Sequence, residues 1–164
     1  MNIRDETADD HAAIQRVHTE SFPTDAEARL VDNLRAAGNL SISLVAEDDG
    51  QILGHVACSP VTGPALTTGL GLAPVAVLPS ARRRGIADQL IRAALAVSAE
   101  QGHGYVVVLG DPAYYSRFDF HPGRTWNLLD EYGGGDGFQA IELQPAAITP
   151  SGGLVQYSAE FAGL

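Results

Sequence analysis

The segment LAPVAVLPSARRRGIA (residues 72–87) constrains the fold of this chain more than any other. Its apolar residues 75–77 predict a strand that stops at Pro79, and an amphipathic pattern begins directly after Gly85. The first N–H groups of a helix lack partners within the helix, and the macrodipole puts partial positive charge there. The three arginines at 82–84 add charge that pairs with phosphate oxygens. The segment therefore predicts a strand, a basic turn and a helix that together bind an anion.

The residues that follow complete a strand–helix–strand unit. Apolar residues recur at helical spacing from Ile86 to Ser98, and Gly102 and Gly104 end the predicted helix. Tyr105–Leu109 then predicts a strand buried on both faces, as in parallel pairing. A crossover of this length is right-handed, so the strands at 72–77 and 105–109 should run parallel. The unit predicts an α/β fold.

Composition bounds the class of protein. A length of 164 residues, 45% hydrophobic and 18% charged, predicts one soluble globular domain over residues 1–164. No apolar run approaches the roughly 18 residues of a membrane span, and the first ten residues do not resemble a signal peptide. One cysteine suits a reducing cytoplasm. A net charge of −10 argues against nucleic-acid binding, and the absence of lysine excludes phosphate-loop NTPases and pyridoxal Schiff-base enzymes.

The rest of the chain alternates short elements. Before the central segment we predict a strand at 2–4 and a helix from the caps at 7–10 to about Glu20. A second helix follows, with a capping box formed by Thr24 and Glu27, and ends at Gly38. Strands at 41–46 and 52–59, joined by a turn at 47–50, and a loop at 60–71 complete this part of the chain. After the central segment we predict a mobile loop at 122–137 and strands at 138–143 and 155–161.

Two motifs, Arg82-x-x-Gly85-x-Ala87 and GDPAYYSRF (residues 110–118), resemble motifs of the GCN5-related N-acetyltransferase (GNAT) superfamily. The order Arg82-x-x-Gly85-x-Ala87 resembles its pyrophosphate loop, set between a valine-rich strand and a long helix. The run GDPAYYSRF (residues 110–118) resembles one bacterial subgroup of N-acetyltransferases, with Tyr115 at the family tyrosine. Asp119 stands where the family usually has glycine, and aspartate also tolerates a left-handed conformation. The two motifs are separated by one helix and one strand, as in the family.

The resemblance implies a GNAT fold, a central mixed sheet flanked by helices, in which the strands at 72–77 and 105–109 part. Pro74 fits this arrangement because proline cannot donate to a strand ladder. The pantetheine arm of acetyl-CoA, the implied co-substrate, would bind the strand backbone in the gap, and no metal is implied. The implied cofactor-binding residues are Val75, Ala76, Val77, Arg82, Arg83, Arg84, Gly85, Ile86, Ala87 and Tyr114.

The resemblance also implies a catalytic residue. Tyr115 would donate the proton to the departing coenzyme A sulfur, a role that suits a hydroxyl protonated near neutral pH. The alternative is that Tyr115 only packs against the cofactor or hydrogen-bonds to it. The strand at 72–77 lacks the glutamate that some family members carry there, so the general base stays open. The candidates are Glu20, Glu27, Glu47, His55 and Asp111.

Other polar residues are weaker candidates. Cys58 is interpreted as a buried small side chain, and the five histidines show no metal-ligand spacing. Eleven of the twenty carboxylates lie in the first 49 residues, which would attract a cationic acceptor if they line its site. A solvated face that confers solubility is the equal alternative.

These observations predict an acetyl-CoA-dependent N-acetyltransferase that acts by direct attack in a ternary complex. The acceptor would be a primary amine of a small molecule or peptide, and the protein a monomer or homodimer without nucleic-acid or membrane partners. One alternative is a non-catalytic acyl-CoA-binding or sensing module on the same fold. Another is a nucleotide-binding protein that uses the three arginines for a different phosphate.

Overall fold

A computed structural model describes residues 1–164, which form four α-helices and nine strands. The helices are α1 (His11–Ser21), α2 (Ala26–Ala36), α3 (Ile86–Glu100) and α4 (Pro112–Tyr115). The strands are β1 (Asn2–Asp5), β2 (Ile42–Asp48), β3 (Gln51–Val61), β4 (Gly69–Val77), β5 (Tyr105–Leu109), β6 (His121–Pro122), β7 (Leu128–Asp130), β8 (Phe138–Glu142) and β9 (Gly153–Val155). None of these helices combines the length and apolar character needed to cross a membrane.

The chain divides into two compact units. The first contains residues 1–59, 73–94 and 159–164, and its strands are hydrogen-bonded in the order β1, β2, β3, β4. Strands β1 and β3 both pair antiparallel with β2. The predicted hairpin turn between β2 and β3 is confirmed. Asp49 and Gly50 have positive φ angles of 50° and 75°, the conformation that a two-residue hairpin requires.

The two faces of β3 serve different contacts in the first unit. A Cβ at Gly54 would lie 3.0–3.2 Å from side-chain atoms of Leu90 and Ile86 in α3, so this face packs closely on that helix. Side chains alternate along a strand, and His55 accordingly points the other way, to His18 of α1. Both histidines are fully buried.

The second unit contains residues 60–72 and 95–158, with strand order β4, β5, β8, β6 and a separate β7–β9 pair. Strand β4 is parallel to β5, as predicted, and β8 is antiparallel to it. The parallel ladder runs from the pair Gly69–Tyr105 to the pair Gly71–Val107 and ends there. The residues of β4 that pair with β5 are therefore 69–71, which come before the strand predicted at 72–77. The mixed α/β fold class predicted from the sequence is confirmed.

Several predicted boundaries are wrong. The loop predicted at 60–71 is shorter, because β3 continues to Val61 and β4 begins at Gly69. The Thr24/Glu27 capping box is not formed, since Asp25 is the N-cap of α2. The Thr24 hydroxyl instead accepts a hydrogen bond from the Ala26 N–H at 3.3 Å.

The C-terminal region also differs from its prediction. The strand predicted at 155–161 is wrong: β9 ends at Val155, and Ala159–Gly163 is a 3₁₀-helix. Val155, Tyr157 and Phe161 are nevertheless buried, so their spacing reflects burial without a strand ladder. The predicted loop at 122–137 contains the ordered strand β7 and two 3₁₀ turns.

Candidate functional site

The arginine turn of the first unit leads from β4 into α3. A single 3₁₀ turn, Pro79–Ala81, follows the strand, and Arg82 is extended with φ −69° and ψ 161°. Arg83 and Gly85 then have positive φ angles of 65° and 74°, and α3 begins at Ile86. Alternating φ signs of this kind make backbone N–H groups converge on anions. The free N–H groups of the first turn of α3 follow directly, so the backbone itself supplies donors and positive potential.

The guanidinium groups of this turn lie at the surface, where a ligand can reach them. Residues 82–85 are all exposed. The Arg84 side chain, 50% exposed, donates to Asp48 Oδ2 at 3.0 Å. An ion pair this exposed stabilises the fold by less than about 1 kcal/mol, so a phosphate can replace the carboxylate at little cost. No side chain is present at Gly85, and the space where its Cβ would lie is open.

One carbonyl group at the end of β4, that of Val77, accepts hydrogen bonds from the arginine turn and from α1. Arg82 Nε donates to the Val77 carbonyl at 3.3 Å. The Ser21 hydroxyl, at the end of α1, lies 3.1 Å from the same oxygen and 2.6 Å from the Val17 carbonyl, and shares its proton between them. Ala76 and Val77 are buried and Val75 is half-buried. The predicted strand and the arginine turn are therefore contiguous within the first unit.

Tyr115 lies in the second unit, at the end of α4. Asp111 is the N-cap of this helix, and its Oδ1 accepts a hydrogen bond from the Ala113 N–H at 3.0 Å. Beyond the helix, Asp119 has φ 71° and ψ 22°, a left-handed conformation. The structure thus confirms that aspartate can replace glycine at this turn. The turn brings Phe120 back against the tyrosine, with ring centroids 5.7 Å apart.

The Tyr115 ring is held by close packing, while its hydroxyl is uncommitted. Only 9% of the residue is exposed, and a Cβ at Gly110 would lie 2.4 Å from Cε2 of the ring. The hydroxyl forms no hydrogen bond with another group of the protein. Burial raises the pKa of the phenol, so it stays protonated and able to donate. Tyr114, by contrast, is half-buried, and the Arg117 guanidinium lies 4.6 Å from its ring centroid.

The candidate general bases differ in their hydrogen-bond partners and in their burial. Three carboxylates already have partners: Glu20 pairs with Arg16, Glu47 pairs with Arg4, and Asp111 caps α4. His55 is fully buried and lies 2.8 Å from Nε2 of His18. The sequence pattern shows both histidines on apolar faces, but it contains no signal that pairs a residue of α1 with one of β3. His18 is therefore not predicted as a site residue from the sequence.

Most of the acidic residues near the N-terminus are neutralised by arginines. Arg4 binds Asp10 and Glu47, each at 2.7 Å, and Arg35 binds Glu6 at 2.9 Å. The hydrogen bond from Arg4 is the main cause that lowers the pKa of Asp10 to about 2. Glu27 differs from these: it is the one carboxylate with a buried oxygen, Oε1, that has no hydrogen-bond partner.

Metal and thiol chemistry find no support in the side chains present. No group of three or more His, Cys, Asp or Glu residues is placed to hold a metal ion. Cys58 is buried and free, and burial raises the pKa of its thiol to about 12. A thiol with so high a pKa holds almost no thiolate near neutral pH, so Cys58 is a packing residue.

Known proteins resemble this chain over nearly its whole length. Residues 2–123 match the acetyltransferase (GNAT) domain. An uncharacterized N-acetyltransferase of Escherichia coli K12, YhbS, is 42% identical over 165 residues, which cover 98% of each sequence. The crystal structure of Escherichia coli YhbS in complex with CoA has a TM-score of 0.92 and 41% identity, over 98% of this chain and 91% of the other.

A second solved structure agrees with the first. A GNAT family acetyltransferase from Brucella melitensis, in complex with acetyl-CoA, has a TM-score of 0.80 and 37% identity, over 98% of this chain and 97% of the other. The domain match spans most of the chain, including the arginine turn and Tyr115. The chain therefore belongs to the GNAT family of N-acetyltransferases.

Proposed function

We propose that this protein transfers the acetyl group of acetyl-CoA to a primary amine by direct attack in a ternary complex. The observation that carries the proposal is the arginine turn. Two left-handed residues, exposed guanidinium groups and the start of a 15-residue helix converge on one exposed stretch. This is the charge and backbone geometry that a pyrophosphate group requires. The relatives solved with CoA and acetyl-CoA support the choice of ligand.

Within this proposal, each part of the turn has a role. Arg82, Arg83 and Arg84 neutralise the pyrophosphate, and the N–H groups of Gly85, Ile86 and Ala87 donate to its oxygens. The backbone of residues 75–77 binds the pantetheine arm as an added strand. Backbone amides of that strand also polarise the thioester carbonyl, where negative charge develops during attack. Tyr114 is a peripheral contact of the cofactor.

Tyr115 is the proposed proton donor to the coenzyme A thiolate. Its hydroxyl has no partner in the protein, and burial keeps it protonated. When the amine nitrogen bonds to the acetyl carbon, the C–S bond breaks and the thiolate takes the phenolic proton. Solvent then restores the proton to the tyrosine. A donor that is uncommitted in the ligand-free enzyme needs no hydrogen bond broken before it acts.

We propose a cationic amine as the acceptor, with Glu27 as its recognition residue. A buried carboxylate oxygen without a partner is unfavourable, and an ammonium group would supply the missing donor. Because arginines pair with many of the surrounding carboxylates, this attraction is local and does not come from an acidic face. We also propose a cytoplasmic location, since a chain with one cysteine has no internal disulfide framework.

The test is a thermal-shift titration with acetyl-CoA, with ATP and NAD as controls, followed by a screen of amines for coenzyme A release. A ligand at a hundredfold its dissociation constant adds about 2.7 kcal/mol to the free energy of unfolding. We expect a shift with acetyl-CoA alone, and turnover with at least one cationic amine. An equal shift with ATP would favour a general nucleotide site. Binding without turnover across polyamines, aminoglycosides and peptide N-termini would favour the acyl-CoA-sensing module.

A further inference from the structure

A buried chain of polar side chains crosses the first unit beneath α1. His18 Nε2 lies 2.8 Å from His55 Nδ1, and His55 Nε2 lies 2.7 Å from the Ser43 hydroxyl. The Ser43 hydroxyl donates to Glu6 Oε1. Arg35 holds the Glu6 carboxylate with two hydrogen bonds, of 3.0 and 2.9 Å. The chain thus leads from a fully buried helix residue, across β3 and β2, to a carboxylate beside the edge strand β1.

The Glu6 carboxylate sets the direction of every hydrogen bond in this chain. Burial raises the pKa of Glu6, but hydrogen bonds from Arg35 and Ser43 outweigh it and leave the pKa below its usual value. An ionised carboxylate only accepts, so Ser43 must donate to it, and the Ser43 oxygen then accepts from His55 Nε2–H. A neutral His55 has its lone pair on Nδ1 and accepts from His18 Nε2–H. The remaining lone pair is on His18 Nδ1.

His18 Nδ1 is a lone pair without a partner. The atom is buried and has no hydrogen-bond donor near it. The ring of Phe22, the residue that follows α1, stacks on the His18 ring with centroids 6.0 Å apart and an interplanar angle of 7°. A buried imidazole nitrogen that accepts no hydrogen bond carries a desolvation penalty, because no protein donor replaces the water that it loses on burial. Such a nitrogen is explained if a substrate supplies the donor.

The position of His18 relates it to the acetyl-transfer site. Residues three apart on a helix lie on the same side, so His18 is a neighbour of Ser21. Ser21 contacts the Val77 carbonyl, which Arg82 also contacts. The last turn of α1 therefore lies against the end of β4, the strand whose backbone at residues 75–77 binds the pantetheine arm in the proposed function.

We propose that His18 is the general base of the transferase, accepting the proton of the acceptor amine on Nδ1. His55, Ser43 and Glu6 are positioning residues that hold His18 in the tautomer whose Nδ1 is unprotonated. The inference rests on the proposed function and names the base which that function lacks. An amine reaches the covered atom through one bridging water molecule or after the Phe22 ring turns away.

The step balances within the reaction. The amine lone pair forms the C–N bond, its N–H bond breaks, and the proton forms a new N–H bond at His18 Nδ1. The resulting imidazolium donates from Nε2 to His55, and the chain of dipoles that ends at Glu6 offsets part of the cost of charging a buried ring, in the manner of the carboxylate in a catalytic triad. The proton then passes to solvent when the product leaves. The other charged or titratable groups that face this chain are His11, 2.9 Å from Glu6, and Arg35.

The first test reads the tautomers directly and needs no substrate. Nitrogen-15 NMR of the imidazole rings at about pH 7 should find His18 and His55 both protonated on Nε2 and unprotonated on Nδ1. In Glu6→Gln the side-chain amide can donate to Ser43, which reverses every hydrogen bond and puts a proton on His18 Nδ1. A wild-type His18 already protonated on Nδ1 would overturn the inference, whatever the protein's activity.

The second test measures rate, with the amine that gives the fastest turnover in the screen described above. Glu6→Gln and Ser43→Ala should lower kcat by about 100-fold, the low end of general-base contributions, with acetyl-CoA affinity unchanged. The limb of the pH–rate profile that reports deprotonation of the general base should shift in both variants. Ser43→Thr, which keeps the hydroxyl, should restore most of the rate.

Two control variants separate positioning from simple loss of stability. Asp32→Asn removes the exposed second partner of Arg35, at 3.0 Å, without touching the chain of hydrogen bonds. Ser59→Ala removes a buried hydroxyl that has no partner. Both controls should keep the wild-type kcat and pH profile. A wild-type pH–rate profile in Glu6→Gln would exclude His18 as the general base. Failure of wild-type protein to bind acetyl-CoA would instead refute the proposed function, and the tautomer test would still decide the protonation of His18.

Discussion

His18 Nε2 and His55 Nδ1 are 2.8 Å apart, and neither histidine is exposed to solvent. Burial lowers the pKa of His18 to about 4. Burial likewise lowers the pKa of His55, and the charges of His18 and Arg35 lower it further. Both rings are therefore neutral near pH 7 in the folded protein, and the lowered pKa values make the stability of the fold depend on pH.

Acidification should destabilise the protein before its carboxylates titrate. The unfolded chain binds the His18 proton near pH 6.5 and the folded chain only near pH 4, so the free energy of unfolding falls as the pH drops through this window. A shift of this size corresponds to about 3 kcal/mol for His18. Urea unfolding at several pH values measures it. His121→Asn, at an exposed site, should keep the wild-type dependence, and a flat profile between these pH values would contradict the prediction.

Removing one arginine from the turn should weaken binding of acetyl-CoA. Arg82→Ala loses a charge-assisted hydrogen bond to the pyrophosphate and should raise Kd about tenfold or more. Arg84→Ala should have a slightly smaller effect, because binding must break the exposed Arg84–Asp48 pair, at a cost of less than about 1 kcal/mol. Isothermal titration calorimetry measures both. Arg124→Ala, an exposed arginine paired with Asp136, is the matched control and should bind normally.

Tyr115→Phe should separate chemistry from binding. Removing the hydroxyl deletes the proposed proton donor but leaves the packed ring, so kcat should fall by about 10²- to 10⁴-fold while the Kd for acetyl-CoA is unchanged. Tyr132→Phe, at a tyrosine of the same unit that is 49% exposed, is the control and should retain kcat. If Tyr115→Phe keeps wild-type turnover, the residue serves only to pack against the cofactor.

Gly110→Ala should destabilise the segment that holds Tyr115. The added Cβ would lie 2.4 Å from the tyrosine ring, so the ring or the backbone must move. Overpacking of this kind costs about 1–3 kcal/mol. Gly163→Ala, where a Cβ meets nothing within 4 Å, is the control. Thermal melts of the two variants compare them, and equal melting temperatures would contradict the prediction.

Glu27→Gln should impair recognition of a cationic acceptor specifically. Loss of the carboxylate charge should raise KM for the amine about tenfold, with little change in the Kd for acetyl-CoA. Steady-state kinetics with a cationic and a neutral amine make the comparison. An equal loss for both amines would mean that Glu27 acts through the structure of α2 and not through charge.

Local features of the chain were predictable from the sequence. The strand, basic turn and helix at residues 72–100 were predictable because helical periodicity, proline and glycine act within a few residues of each other. The left-handed conformation of Asp119 was predictable for the same reason, since it depends on the side chain's own tolerance. Boundaries such as the strand predicted at 155–161 were wrong because alternate residues there are buried, as they would be in a strand, although the segment forms no strand ladder.

The sequence by itself determined the family, the arginine turn and the short helix that carries Tyr115, all of which depend on short-range order. Only the tertiary structure decided which polar groups meet. The link from His18 to Glu6 joins a helix, two strands and the segment that follows β1, and the pairing of Arg4 with Glu47 spans 43 positions. Such contacts follow from how helices pack on the sheet. A buried polar group is stable only with its partner, and the fold alone supplies that partner or leaves it, as at His18 Nδ1, to a substrate.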